Sequence, residues 1–141
     1  MVSNKRGLVV NVSSLGAIIP VPLEGIYSAS KIYVDYFSSS LRYEYKDSNI
    51  NVLNLRPWFI STKMWHWSDR LSNPSPLESL LVPTANQFVA SAITTFGRTN
   101  ETTGYWGHAL VSFIANDVAP RSILRLFSTW MLKQLNSQKL K

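Results

Sequence analysis

The chain has 141 residues, 45% hydrophobic and 16% charged, with a formal net charge of +6. That composition suits one globular domain with a moderate core and excludes a disordered or fibrous chain. Cysteine is absent, which excludes a disulfide framework and any cysteine-ligated metal centre.

In chain order, residues 7–13 read as a buried strand of β-branched side chains that ends in two hydroxyls, Ser13 and Ser14. Residues 15–25 are a loop rich in Pro and Gly. From about Ile26 to Tyr45 the pattern is helical, with Val34, Phe37, Leu41 and Tyr45 recurring at steps of three and four. Asp47-Ser48-Asn49 signals a turn. Residues 50–55 read as a second strand, stopped by Pro57. Strand, helix and strand make one βαβ unit, whose strands should be parallel and whose crossover should be right-handed.

Residues 58–83 are irregular. Thr84 is placed to cap a helix that runs to Phe96, with Gly97 as its stop. Residues 105–114 suggest a third strand. The last segment, residues 116–141, reads as a basic amphipathic helix with Ile123, Leu126, Phe127, Trp130 and Met131 on one face. The opening residues 1–6 are polar and form no secretory signal. No stretch approaches the ~20 apolar residues of a membrane-crossing helix. The positive charges are scattered, without the basic run and interleaved aromatics of a nucleic-acid face, so no nucleic-acid partner is expected.

Tyr27 and Lys31 stand four residues apart in the expected helix, so phenol and ammonium share one face. A fixed cation favours the phenolate of a neighbouring phenol, which suits such a pair to proton transfer. Ser14 precedes Tyr27 by 13 positions (27 − 14). A strand ending there, a loop and a helix would gather the three at the carboxyl end of a sheet, where open α/β folds place their sites. Ser13 and Ser14 would point to opposite sides of the strand, so only one can serve. Trp58, Phe59, Trp65 and Trp67 would either line an apolar substrate channel or form a core cluster under a long loop. His66 and His108 lack partners at ligand spacing, so no metal site is expected, and His108 reads as structural.

Asn11-Val12-Ser13-Ser14, Tyr27-Ser28-Ala29-Ser30-Lys31 and Arg56-Pro57-Trp58-Phe59-Ile60-Ser61-Thr62 together resemble the second half of a short-chain dehydrogenase/reductase. The likeness covers most of residues 5–115. Pro20-Val21-Pro22-Leu23, Tyr33-Val34-Asp35-Tyr36-Phe37-Ser38, Asn73-Pro74-Ser75-Pro76 and Gly104-Tyr105-Trp106-Gly107-His108-Ala109 resemble the branch of very-long-chain 3-oxoacyl-CoA reductases and 17β-hydroxysteroid dehydrogenases. The resemblance implies an α/β fold: the C-terminal half of a Rossmann-like doubly wound parallel sheet, about three strands with flanking helices, over residues 1–115.

It also implies reduction of an apolar ketone, a 3-oxoacyl-CoA or a 17-ketosteroid, by hydride transfer from NADPH, with NADH as the other candidate. Tyr27 would be the proton donor, Lys31 would hold the nicotinamide ribose, and Ser14 would bind the carbonyl oxygen. Ser14 is chosen over Ser13 by its family spacing to Tyr27. Pro57, Ile60 and Thr62 would hold the nicotinamide, and Trp58 and Phe59 would meet the substrate. Trp58 stands where the broad family has glycine.

The family's glycine-rich phosphate cradle is not found, so the chain reads as a fragment that by itself binds dinucleotide poorly. The resemblance further implies a homodimer or mixed dimer through the helix of Tyr27. It implies a location at the cytosolic face of the endoplasmic reticulum membrane, with surface contact through the C-terminal helix as an accessory expectation.

Overall fold

Valine, isoleucine and leucine dominate two six-residue segments, and both are extended. The computed structural model describes residues 1–18, 21–65 and 68–139. It forms β1 from Gly7–Val12 and β2 from Ile50–Leu55. The two pair in parallel, from Gly7 opposite Ile50 to Val12 opposite Leu55. A short β3, Glu101–Thr102, adds in parallel to the other side of β2. The sheet order is therefore β1-β2-β3, the expected α/β arrangement of three parallel strands with flanking helices. β2 is the centre, with Val52, Leu53 and Asn54 almost wholly buried. β1 is half-buried, not fully buried as its composition suggested. It is the edge of the sheet among the described residues and has a strand neighbour on one side only.

Parallel strands need a crossover, and α1, Gly25–Glu44, provides it. Its inward stripe is small and polar: Ser28 is buried, and Asp35, Ser38 and Arg42 meet the sheet. Asn11 Nδ2 donates to Ser38 Oγ at 2.9 Å. Asn54 Nδ2 donates to Asp35 Oδ1 at 2.8 Å, and Arg56 Nε donates to Asp35 Oδ2 at 2.8 Å. Arg56 also pairs with Glu101 at 3.0 Å, and Arg42 Nη2 donates to the Asn100 carbonyl at 2.9 Å. This ladder ties α1 to β2 and β3. Phe37, one of the residues that recur at helical steps, is exposed and stacks on Tyr33 with ring centroids 5.9 Å apart. Ile26, Tyr36 and Tyr43 are exposed as well.

Beyond β2 the chain is irregular as expected, apart from α2 (Asp69–Ser72) and two short 3₁₀ turns at Lys63–Trp65 and Glu78–Leu80. Thr84 caps α3, Ala85–Ile93, through a reciprocal capping box with Gln87. The helix stops short of Phe96, which lies in a turn before Gly97 (φ 70°).

The third strand lies before residues 105–114, not in them. That segment begins α4, Trp106–Phe113. A short, mostly apolar run has no clear period, so it reads equally as strand or helix. The backbone decides: Gly104 takes φ 75° just after β3, and at Gly107 an added Cβ would collide with the Leu80 carbonyl.

α5, Arg121–Lys139, follows a π turn at Ile114–Val118. Leu132 and Leu135 pack with Leu71 and Val82, and Val21, Phe59 and Met131 border that core. The stripe of Ile123, Leu126, Phe127 and Trp130 that the periodicity selects is instead exposed. Apolar residues surround most of this helix, so more than one stripe satisfies a 3.6-residue period. Among the described residues no helix is long and apolar enough to cross a membrane.

Candidate active site

The carboxyl ends of β1 and β2 are sewn together past their last residues. Ser13 N–H donates to the Leu55 carbonyl at 2.8 Å and Leu15 N–H to the Pro57 carbonyl at 3.0 Å. The two serines then part. Ser13, 2% exposed, donates its hydroxyl to the Lys31 carbonyl at 2.9 Å and so fixes α1 against β1. Ser14 is extended (φ −162°, ψ 156°) and its Oγ accepts from Gly16 N–H at 3.0 Å. That bond uses the oxygen as acceptor and leaves the hydroxyl proton free to donate.

Tyr27 and Lys31 lie in the first two turns of α1. The Lys31 ammonium is 5.6 Å from the centre of the Tyr27 ring and donates to the Val12 carbonyl at 3.1 Å. It is thus tethered at the end of β1 with donors to spare. A Cβ built on Gly16 would lie 3.4 Å from both Ser14 Oγ and the Tyr27 ring, so the two side chains converge on that glycine. The loop into α1 turns through Leu23 at φ 73°, a left-handed conformation that is strained for a branched side chain.

A cleft of about 400 Å³ opens in front of these groups. Ser14, Tyr27, Lys31, Pro57, Trp58, Phe59, Ile60 and Thr62 all line it, so every residue given a catalytic, cofactor or substrate role by the resemblance meets in one place. Trp58 and Phe59 stack edge to face with centroids 4.8 Å apart. Trp67, expected in a channel wall or a core cluster, and His66, expected to hold no metal, lie outside the described residues.

Sequence reasoning missed several contributors. Ser128, Met131 and Leu132 of α5 close one side of the cleft; nothing local marks a helix more than 60 positions away as a wall. Glu24 also lines it, and burial raises its carboxyl above the ordinary 4.5. Its position one turn before Tyr27 was the available signal. His108, wholly buried, bonds to the backbone of Trp58 and Phe59.

The donor set suits a nicotinamide and its ribose: a tethered cation, a threonine hydroxyl and a backbone strip share one cleft. A phosphate cradle is another matter. The six glycines, Gly7, Gly16, Gly25, Gly97, Gly104 and Gly107, are dispersed over the chain and build no phosphate loop among the described residues.

A sequence profile of the family described as short chain dehydrogenase matches residues 1–71. The chain is a member of the short-chain dehydrogenase family. It is 41% identical over 123 residues to the rat very-long-chain 3-oxoacyl-CoA reductase, which covers 87% of this chain and 36% of that protein. It is 38% identical to the mouse very-long-chain 3-oxoacyl-CoA reductase over 100% of this chain and 42% of the relative. Chicken hydroxysteroid dehydrogenase-like protein 1 is 35% identical over 99% of this chain and 41% of its own length. This short-chain dehydrogenase thus spans 36–42% of the length of these relatives. A short chain dehydrogenase from Burkholderia cenocepacia, solved in complex with NADP, shares the fold with a TM-score of 0.60 at 24% identity, over 90% of this chain and 48% of that one.

Proposed function

We propose that the cleft is the proton-donating and substrate-binding half of a ketone reductase that uses a nicotinamide cofactor, with a 3-oxoacyl thioester as its substrate class. The observation that carries this reading is the convergence of Ser14, Tyr27 and Lys31 on one apolar cleft at the carboxyl end of a parallel sheet. The cofactor, NADPH by the same reading, supplies the hydride when bound. Ser14 donates its free hydroxyl proton to the carbonyl oxygen, where charge develops. Tyr27 passes its phenolic proton to that oxygen as the alcohol forms. Lys31, held by the Val12 carbonyl, keeps donors for the ribose hydroxyls. Thr62, Pro57 and the backbone at Ile60 flank the carboxamide.

Trp58, Phe59, Met131 and Leu132 present apolar surface to the acyl chain and exclude water. The reading favours an acyl chain over a steroid on the names of the relatives, two of which are 3-oxoacyl-CoA reductases. It also puts the protein at the cytosolic face of the endoplasmic reticulum.

The test joins residues 1–141 to the nucleotide-binding portion of a full-length relative and follows NADPH oxidation with a 3-oxoacyl thioester. Turnover that depends on the thioester supports the reading. Binding of both ligands without turnover removes it.

A second reading, association without catalysis, draws on the exposed aromatic face of α1 (Tyr33, Tyr36, Phe37, Tyr43), which would pair with an intact reductase subunit. Co-purification with such a subunit, lost in Tyr33→Lys/Phe37→Lys, checks it.

A further inference from the structure

We infer that His108 is a positioning residue of the cleft: as the neutral Nε2–H tautomer it braces the backbone of Trp58 and Phe59 and so sets the wall those rings form. His108 sits in the first turns of α4, 50 residues from Trp58, with no exposed surface. Its Nδ1 accepts from Trp58 N–H at 3.3 Å, and its Nε2 lies 3.1 Å from the Phe59 carbonyl. Accepting at Nδ1 requires a bare nitrogen there, so the proton is on Nε2 and points at that carbonyl. One ring thereby holds an N–H and a C=O of adjacent residues, which fixes the rotation of the strip between them.

The ring is itself held. Phe88 and Tyr105 lie against it, with centroids 5.6 and 5.3 Å away. Gly107 lets α4 approach the Leu80 carbonyl more closely than any other residue would allow. Gly104, at φ 75°, sits where a Cβ would press on Leu55, Phe88 and Ala92. The segment from Gly104 to His108 is therefore a device that drives an imidazole against residues 58 and 59. Burial lowers the proton affinity of His108, opposed more weakly by the carbonyls of Phe59, Thr103 and Leu81. A proton added at Nδ1 would face the Trp58 N–H and break the brace.

The bracing stands on geometry alone; its consequence for ligands rests on the reading of the cleft as a thioester site. Three measurements separate them. In the His66→Gln protein, where His108 is the single imidazole, two-bond proton–nitrogen spectra should show a bare Nδ1 and a protonated Nε2 that persist below the ordinary imidazole value of 6.5. An Nδ1–H tautomer, or titration at the ordinary 6.5, overturns the inference.

His108→Phe keeps the ring and loses both bonds. Amide exchange at Trp58 should quicken about tenfold, while Arg56 N–H, bonded to the Thr102 carbonyl two residues away, stays within about twofold. His108→Asn, whose amide oxygen can replace Nδ1, should restore part of the protection. Equal quickening at both amides, or none at Trp58, overturns the inference even if the cleft is a thioester site.

The third measurement is titration with a 3-oxoacyl thioester, followed at the Ser14 and Thr62 amides. Half-saturation should rise about fivefold in His108→Phe, and an unchanged value overturns the positioning role. If the parent binds no thioester, the thioester reading fails, and the exchange result still decides for or against the brace.

Discussion

Two stretches of one helix show how a polar face becomes scaffold or site. From Asp35 to Arg42, α1 meets the sheet through side chains whose bonds end within the protein: Asp35 takes both Asn54 and Arg56, Ser38 takes Asn11, and Arg42 reaches Glu101 and the Asn100 carbonyl. Asn54 Oδ1 is a buried atom left over from that ladder. One to two turns earlier, Tyr27 and Lys31 also lie beside the strand ends, but their functional groups open onto a cleft. Tyr27 is 45% exposed, and Lys31 uses one of three ammonium protons on Val12. Polar residues on an inward face are thus no signal of chemistry by themselves. Donors in excess of internal partners, aimed at a cavity, are.

That contrast can be broken. The largest expected effect separates two neighbouring hydroxyls. In the protein joined to a relative's nucleotide-binding portion, Ser14→Ala should lower ketone reduction by about 10²–10³-fold. Ser13→Ala should leave turnover within about twofold and reduce stability by about 1 kcal/mol, because it removes only the bond to Lys31 O.

Next comes the ladder. Asp35→Ala strands the Asn54 amide and leaves the Arg56 guanidinium with Glu101 alone, and chemical denaturation should show a loss of about 1–3 kcal/mol with turnover per folded molecule unchanged. Thr84→Ala opens the capping box at α3 and should cost about 1 kcal/mol by the same measurement.

The smallest effect is the pH slope from His108. Its folded-state proton affinity is lowered by burial, so below 6.5 the unfolded chain binds more protons than the folded one. Stability should fall as pH drops below that value, and His108→Phe should flatten the slope. Glu24 opposes this at lower pH: its raised value makes the folded state the better proton binder just above 4.5.

Much of this was legible in the residues. Both long strands, the crossover helix and the Thr84 cap follow from local signals: β-branched runs, turn residues, and a Thr three positions before Gln. Ser14, Tyr27 and Lys31 could be placed together because a strand end, a loop and a helix start are all local. What was hidden is long-range. The 105–114 run reads as strand or helix alike because periodicity in a short, mostly apolar stretch is ambiguous, and Gly104 and Gly107 decide it through their close approach to Leu55 and Leu80. Which apolar stripe of α5 packs inward is not legible in the sequence, because the choice depends on Leu71 and Val82, some fifty or more positions earlier. His108 reads as structural in isolation; its bonds to Trp58 and Phe59 link it to the cleft.

The most direct test of the central claim is Tyr27→Phe in the protein joined to a relative's nucleotide-binding portion, with turnover of a 3-oxoacyl thioester and NADPH binding measured side by side. The account predicts that turnover falls by about 10²–10⁴-fold while cofactor affinity and melting temperature stay near the parent's. Tyr27→Phe protein that reduces the thioester at the parent's rate would contradict it.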